Sequence, residues 1–156
     1  MPRPLPSPES AFTLLELLVV VAINGILASI GIAQYGDFKK RAKISRTASE
    51  MRGFVAGFIA YSIDFERLPP DSHRELPTGM TDYIDQSLWD KETPIGGYYN
   101  WEGPDSYGYG GISLFDCPAP NEDLKILDRM LDDSNLAVGR FRMESNGRAT
   151  FIFEEE

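Results

Sequence analysis

A single apolar stretch, residues 12–33, constrains this chain more than any other feature. Within its 22 positions only Glu16 and Asn24 are strongly polar. As a helix rising about 1.5 Å per residue, the stretch would span roughly 30 Å, which is the thickness of a bilayer core. A charged side chain inside such a helix is costly and is usually functional. The stretch therefore predicts a membrane helix in which Glu16 has a specific role.

Two ordinary interpretations compete for this stretch. Residues 31–33 read small-x-small, so a signal peptidase could cut after Ala33 and release a secreted enzyme. Alternatively, the helix could anchor a binding module in the membrane. Neither interpretation explains Glu16.

The residues after Ala11 read FTLLELLVVVAINGILASIGIAQY. This sequence resembles the N-terminus of type IV pilins and of type II secretion pseudopilins, over about residues 9–35. That family has a short polar leader, a small residue at a cleavage site, Phe-Thr-Leu-x-Glu and then an apolar helix. The resemblance implies removal of the leader, residues 1–11, by a prepilin peptidase that cuts between Ala11 and Phe12. It also implies N-methylation of Phe12.

The resemblance gives Glu16 a role as the fifth residue of the mature chain. In filaments of this family, that glutamate is thought to pair with the N-terminal amine of a neighbouring subunit. A buried carboxylate without a partner is costly, so the pairing would favour assembly in the correct register. Two departures stand out: Ala11 replaces the usual glycine, and Ala33 lies where a proline is common.

Residues 34–67 continue with helical periodicity, which predicts an amphipathic stem that runs on from the membrane helix. Gly53 and Gly57 are expected to let another element pack closely, and Pro69-Pro70 to follow the helix end. A basic cluster at the start of the stem would contact lipid phosphates or acidic neighbours in a filament, and comprises Lys39, Lys40, Arg41, Lys43 and Arg46.

Residues 68–156 form the predicted globular domain, with 18 Asp/Glu against 7 Lys/Arg. So acidic a domain argues against nucleic-acid binding. Alternation predicts strands near 98–101 and 111–115 with a turn at 103–105, a helix over 121–131 capped by Asn121, and a hairpin around Asn146-Gly147. A strict two-residue loop would pair Phe141 with Ile152. The expected fold class is α+β, a long N-terminal helix packed on a small antiparallel sheet, as in pilins.

Catalytic chemistry has little support in the sequence. The one cysteine, Cys117, and the one histidine, His73, form no recognisable constellation. Oxygen-bearing side chains gather after the short helix, and such ligands suit Ca²⁺, although the spacing matches no EF-hand. Some major pseudopilins hold calcium in a loop of this domain, so calcium is the one cofactor that the sequence suggests, with candidate ligands Asp128, Asp132, Asp133 and Asn135.

The sequence thus predicts a structural filament subunit and not an enzyme. A type II secretion pseudopilin is the first interpretation, and a type IV pilus or DNA-uptake pilin is the second. The expected partners are other pilin-like subunits, the prepilin peptidase, an inner-membrane assembly platform and the membrane itself. The expected location is the bacterial inner membrane, crossed once, with the N-terminus cytoplasmic and residues 68–156 periplasmic.

Overall fold

A computed structural model describes residues 12–155 of the 156-residue chain. The chain divides into two compact units, Met1–Lys39 and Lys40–Glu156. The leader 1–11 and the residue before the expected cleavage, Ala11, lie outside the described residues. In the first unit the described chain is almost entirely helical.

Helix α1, Leu14–Phe65, has 52 residues and confirms the prediction that the apolar stretch continues into a stem. No proline interrupts this sequence, so every backbone N–H after the first turn can join the helical ladder. The helix ends where Glu66 adopts a left-handed conformation with φ of 55°. Pro69-Pro70 follow closely, as expected.

The second unit contains a four-stranded antiparallel sheet in the order β1-β2-β4-β3. Its strands are β1 (Tyr98–Glu102), β2 (Tyr109–Phe115), β3 (Phe141–Met143) and β4 (Ala149–Glu155). The first two confirm the predicted strands and extend them. Between them lies a one-turn helix, α3 (Pro104–Tyr107), in place of a simple turn, because Pro104 occupies its first position.

The β3–β4 hairpin differs by one residue from the strict two-residue register. Phe141 pairs with Phe151, not with Ile152. The amide of Glu144 donates to Arg148 O and the amide of Gly147 donates to Glu144 O, both at 2.9 Å. The loop therefore has three residues, and Gly147, with φ of 79°, supplies the left-handed position that such loops use.

Residues 40–65 of α1 pack one face against the sheet within the second unit. Phe58 stacks on Trp101 with ring centroids 3.9 Å apart, and Phe54 meets Tyr99 edge-on at 4.8 Å. These pairs bury the centre of the core. The helix residues buried on this face are Ile44, Ala48, Met51, Phe54, Phe58 and Tyr61. The predicted α+β architecture is confirmed.

Short helices complete the domain: a 3₁₀ turn (Met80–Asp82), α2 (Gln86–Trp89) and α4 (Asn121–Leu131). Helix α4 has the predicted bounds, but Pro120 and not Asn121 occupies its N-cap, so the capping prediction was wrong. Gly57 allows the expected close packing, since a Cβ there would lie 2.6 Å from Ile84 Cγ1. A Cβ on Gly53 would meet nothing within 4 Å.

Candidate assembly helix and carboxylate cluster

Glu16 closes a capping box at the start of α1. The amide and the hydroxyl of Thr13 each donate to Glu16 Oε2 at 2.9 Å, and the amide of Glu16 donates to Thr13 Oγ1 at 3.2 Å. Thr13 precedes the first helical residue, so these contacts satisfy two of the N–H groups that a helix start leaves unpaired. Sequence reasoning missed this local role, although Thr-x-x-Glu ahead of an apolar run is its known signature.

The apolar side chains of α1 whose exposure is described in the first unit are exposed. Phe12 is 76% exposed and Leu14 is 81% exposed. In length and composition α1 is able to cross a membrane, a test that a signal sequence would also pass. Isolated soluble helices do not normally leave such a surface uncovered. The expected cleavage site is described only on its Phe12 side.

The stem carries a second exposed face, opposite the sheet. Its positions recur at helical spacing over residues 42–63, which corresponds to roughly 30 Å of helix. The exposed members of this outer stem face are small or apolar, and are Ala42, Ser45, Ser49, Gly53, Ala56 and Ile63. A helix face turned to water normally carries charged side chains. Sequence reasoning missed this face, although the spacing of small residues was readable.

Two members of the predicted basic cluster have partners in the second unit. Lys40 Nζ lies 2.5 Å from Asp123 Oδ1 on α4, and Arg46 Nε lies 2.7 Å from Glu50 Oε1. Arg41 and Lys43 are exposed. Part of the cluster therefore holds the stem to its own domain, a role that the sequence interpretation did not include.

Three of the predicted calcium ligands converge at the C-terminal end of α4. One carboxylate oxygen from each of Asp128, Asp132 and Asp133 lies within 4.8 Å of the others. Two oxygens bound to one Ca²⁺ at about 2.4 Å lie at most about 4.8 Å apart, so the three could share an ion. Asn135 stabilises the loop instead. Its backbone N–H donates to Asp133 Oδ1 at 2.8 Å, and its side-chain Oδ1 accepts from the backbone N–H of Ala137 at 3.2 Å.

Asp128 sets this cluster apart from an ordinary acidic surface. Its side chain is fully buried, and neither carboxylate oxygen receives a hydrogen bond of normal geometry from the described residues. Burial raises the pKa of Asp128, and the carboxylates of Asp133 and Asp132 raise that pKa further, while weak contacts from the backbone amides of Ser134 and Asp133 oppose the rise only in part. A buried carboxylate whose hydrogen bonds are weak is costly, and a cation is one way to offset that cost. The donor set fits a hard cation such as Ca²⁺.

Asp132 also organises the loop that follows α4. Its Oδ2 accepts hydrogen bonds from the amides of Arg140 and Phe141. A Cβ on Gly139, where φ is 89°, would collide with the same oxygen. The glycine therefore permits the loop to close over the cluster.

Comparison with known proteins places the N-terminal residues in a defined class. The family described as "Prokaryotic N-terminal methylation motif" matches residues 6–32. A fimbrial protein of Pseudomonas aeruginosa is 51% identical over 43 residues, which cover 28% of this chain and 28% of that protein. The type IV major fimbrial protein FimA of Dichelobacter nodosus is 52% identical over 42 residues, 27% of each chain.

Two further similarities extend beyond this segment. The type IV major pilin protein PilE1 of Neisseria gonorrhoeae is 31% identical over 64 residues, 41% of this chain and 39% of that one. The major type IV pilin PilA1 of Clostridium difficile has a similar fold, with a TM-score of 0.54 at 15% identity over 74% of this chain and 97% of that chain. The chain matches little more than a quarter of the fimbrial relatives' length.

The matched motif, the pilin relatives and the pilin fold together support a type IV pilin-like family for this chain. Members of that family are structural subunits.

Proposed function

We propose that this chain is a structural subunit of a pilin-like filament and assembles through α1. The observation that carries the proposal is a capped 52-residue helix whose first part is apolar and, at the positions where exposure is described, exposed. Such a surface needs either lipid or other helices around it. A subunit that moves from a bilayer into a helical bundle meets both needs in turn.

In the proposed pathway a prepilin peptidase cuts between Ala11 and Phe12, and Phe12 is then N-methylated. The new amine of one subunit pairs with Glu16 of its neighbour. Glu16 already accepts two hydrogen bonds from Thr13, so its carboxylate is held at a fixed place at the helix start. A fixed acceptor makes the pairing sensitive to axial position, which supports a role in register.

The outer stem face supports the same proposal from the second unit. It carries no charged side chain at positions 42, 45, 49, 53, 56 and 63, although all six are exposed in the single chain. Small residues let helix backbones approach closely. A glycine inside a helix costs about 1 kcal/mol relative to alanine. Among the described residues nothing lies within 4 Å of the place where a Cβ on Gly53 would stand, so close packing within the subunit does not explain that cost.

For the particular system, we propose a type II secretion pseudopilin. Cys117 is the chain's one cysteine, so the C-terminal disulfide of many pilins cannot form. The relatives that the chain matches are fimbrial and type IV pilin proteins, which keeps a type IV pilus or DNA-uptake pilin as the second candidate. Deleting the gene in its native host separates the two. Loss of secreted proteins supports a pseudopilin, and loss of surface fibres or DNA uptake supports a pilus.

The proposed location follows from the same pathway. The subunit would await assembly in the bacterial inner membrane, with its second unit in the periplasm and an assembly platform and a separate ATPase as partners. Arg41 and Lys43 would then reach lipid phosphates near the membrane surface. We also propose that Asp128, Asp132 and Asp133, with Asn135 as a further candidate, bind Ca²⁺.

The test compares wild type, Glu16→Ala and Asn24→Ala in native membranes. Mass spectrometry of the N-terminus reports processing, and crosslinking reports assembly. We expect all three proteins to start at N-methylated Phe12 and only Glu16→Ala to lose filaments. Asn24→Ala is the matched control, because it removes a polar group from the same apolar stretch. A mature start at Gln34 would point to a secreted protein, and assembly unaffected by Glu16→Ala would point to a membrane-anchored binding module.

A further inference from the structure

A buried glutamate on β1 holds the β3–β4 turn against the sheet. The side chain of Glu102 is fully buried, and hydrogen-bond donors reach it from β2, from the β3–β4 hairpin and from β4. Glu102 Oε2 accepts from the hydroxyls of Tyr109 at 2.7 Å and Thr150 at 3.3 Å. Glu102 Oε1 accepts from Asn146 Nδ2 at 3.2 Å and Arg148 Nη1 at 3.3 Å. Together these four contacts form the Glu102 network.

Asn146, a member of this network, belongs to an Asn-Gly pair, a sequence in which the asparagine side chain is prone to react. It precedes Gly147, and an Asn-Gly peptide bond is the least hindered setting for attack by a backbone nitrogen on a side-chain amide. In the fold Asn146 is held at both ends. Its Nδ2 donates to Glu102, and its Oδ1 accepts from the Arg148 amide at 3.0 Å. The attacking atom, Gly147 N, is occupied by its hydrogen bond to Glu144 O.

We propose that Asn146 is a site of spontaneous deamidation whose rate is set by the Glu102 network. When the network opens, deprotonated Gly147 N attacks Asn146 Cγ, and the side-chain nitrogen leaves as ammonia to give a cyclic imide. Water then opens the imide to aspartate or isoaspartate. The closed network opposes the first step, because it fixes the Asn146 amide and keeps the proton on Gly147 N.

The reaction also prevents the network from closing again. A carboxylate would replace the donor that now lies 3.2 Å from Glu102 Oε1. Two carboxylates at that distance repel each other, and the buried Glu102 has little water around it to screen the repulsion. Arg148 alone would have to balance both charges. Deamidation therefore converts a transient opening of the turn into a lasting one, and loosens the edge strand β3.

The experiment measures deamidation of the full chain in detergent at mildly alkaline pH. Trypsin cuts after Arg142 and Arg148 and releases residues 143–148, in which mass spectrometry detects the products. We expect the folded protein to react at least roughly tenfold more slowly than the same chain in urea, because opening must come first. Glu102→Gln should react faster than wild type while folded, since an amide cannot accept from all four donors. Glu122→Gln, an exposed glutamate outside the network, should react like wild type.

Two results would overturn the proposal. One is an equal rate of Asn146 deamidation in the folded and the urea-unfolded wild-type chain. This comparison does not depend on the stability of any variant. The other is a wild-type rate in folded Glu102→Gln. The consequence is tested separately by melting: Asn146→Asp should unfold at a lower temperature than Asn146→Ser, which removes the amide without adding charge. Equal melting temperatures would contradict the proposed repulsion.

Discussion

Replacing Asp128 by asparagine tests whether the carboxylate cluster is a calcium site. The variant keeps the shape of the side chain and removes its charge. If Ca²⁺ binds only the folded state and not the unfolded one, a free Ca²⁺ concentration of 100 times Kd adds about 2.7 kcal/mol to the free energy of unfolding. For a chain of 156 residues, each kcal/mol moves the melting temperature by roughly 2–4 °C, so wild type should melt about 5–11 °C higher with calcium than with chelator.

The variant should show little of that shift. In chelator, however, Asp128→Asn should be at least as stable as wild type. Burial and two neighbouring carboxylates disfavour the ionised form of Asp128, as its raised pKa shows, and asparagine removes this penalty. Calcium and the substitution thus remove the same cost, that of the buried negative charge on Asp128, so their effects on stability should not add.

The assay is tryptophan fluorescence during thermal unfolding. Both tryptophans, Trp89 and Trp101, are buried in the second unit and report its unfolding. Asp82→Asn is the control, because Asp82 is an exposed acid outside the cluster, and this variant should keep the full shift. A wild-type protein that melts at the same temperature in calcium and in chelator would refute the reasoning. So would an Asp128→Asn protein that keeps the whole shift.

Three further substitutions test the packing and the electrostatics. Phe58→Ala removes a fully buried ring that stacks on Trp101, and should lower the free energy of unfolding by about 3–5 kcal/mol in urea titrations. Gly57→Ala places a Cβ 2.6 Å from Ile84 Cγ1 and should cost roughly 1–3 kcal/mol, whereas Gly53→Ala, which meets nothing within 4 Å, should stabilise the single subunit by about 0.5–1 kcal/mol. Equal effects at the two glycines would contradict the assigned faces. The hydrogen bond to Asp64 raises the pKa of Tyr83 to about 12 from its ordinary 10.0. The folded chain thus keeps a proton that the unfolded chain loses, and stability should fall as pH rises between these values. In Tyr83→Phe the free energy of unfolding should decrease less steeply with pH, as measured by urea titrations at several pH values. An unchanged slope against pH would contradict this assignment to Tyr83.

Local patterns predicted most of the fold. The apolar stretch and the 3.6-residue periodicity gave α1, and the bounds of α4 followed from its leucine spacing and acidic first turn. The hairpin register required more than a motif. Asn-Gly is compatible with both two- and three-residue loops, and the contacts of Phe141 and Phe151 with the core decide between them. Asn121 is not the N-cap, because the extended residue before α4 is Pro120 and Asn121 is already the first helical residue.

The candidate sites were predictable only in part, for a physical reason. Carboxylates four and five residues apart around a helix end are neighbours by geometry, so Asp128, Asp132 and Asp133 could be grouped from sequence. The burial of Asp128 could not be predicted, because burial depends on tertiary packing and not on the spacing of residues along the helix. The Glu102 network left no signal at all, since its donors come from β2, the hairpin loop and β4, and only the sheet register brings them together.

The capping box changes how the role of Glu16 should be weighed. A carboxylate with no partner in the single chain would gain the whole benefit of pairing when a neighbour's amine arrives. Glu16 instead has two hydrogen bonds from Thr13 before assembly, and these contribute to the start of α1 whether or not a filament forms. In the proposed pairing, the gain on assembly would therefore be the difference between the charged pairing and the local contacts, and not the full strength of an ion pair. A modest difference repeated at every subunit suits a filament that must correct errors of register as it grows. Loss of Glu16 would then weaken the helix start and the proposed subunit contact together. Thr13→Val separates the two effects, because it removes the hydroxyl that donates to Glu16 Oε2 and accepts from the Glu16 amide, and leaves the carboxylate in place.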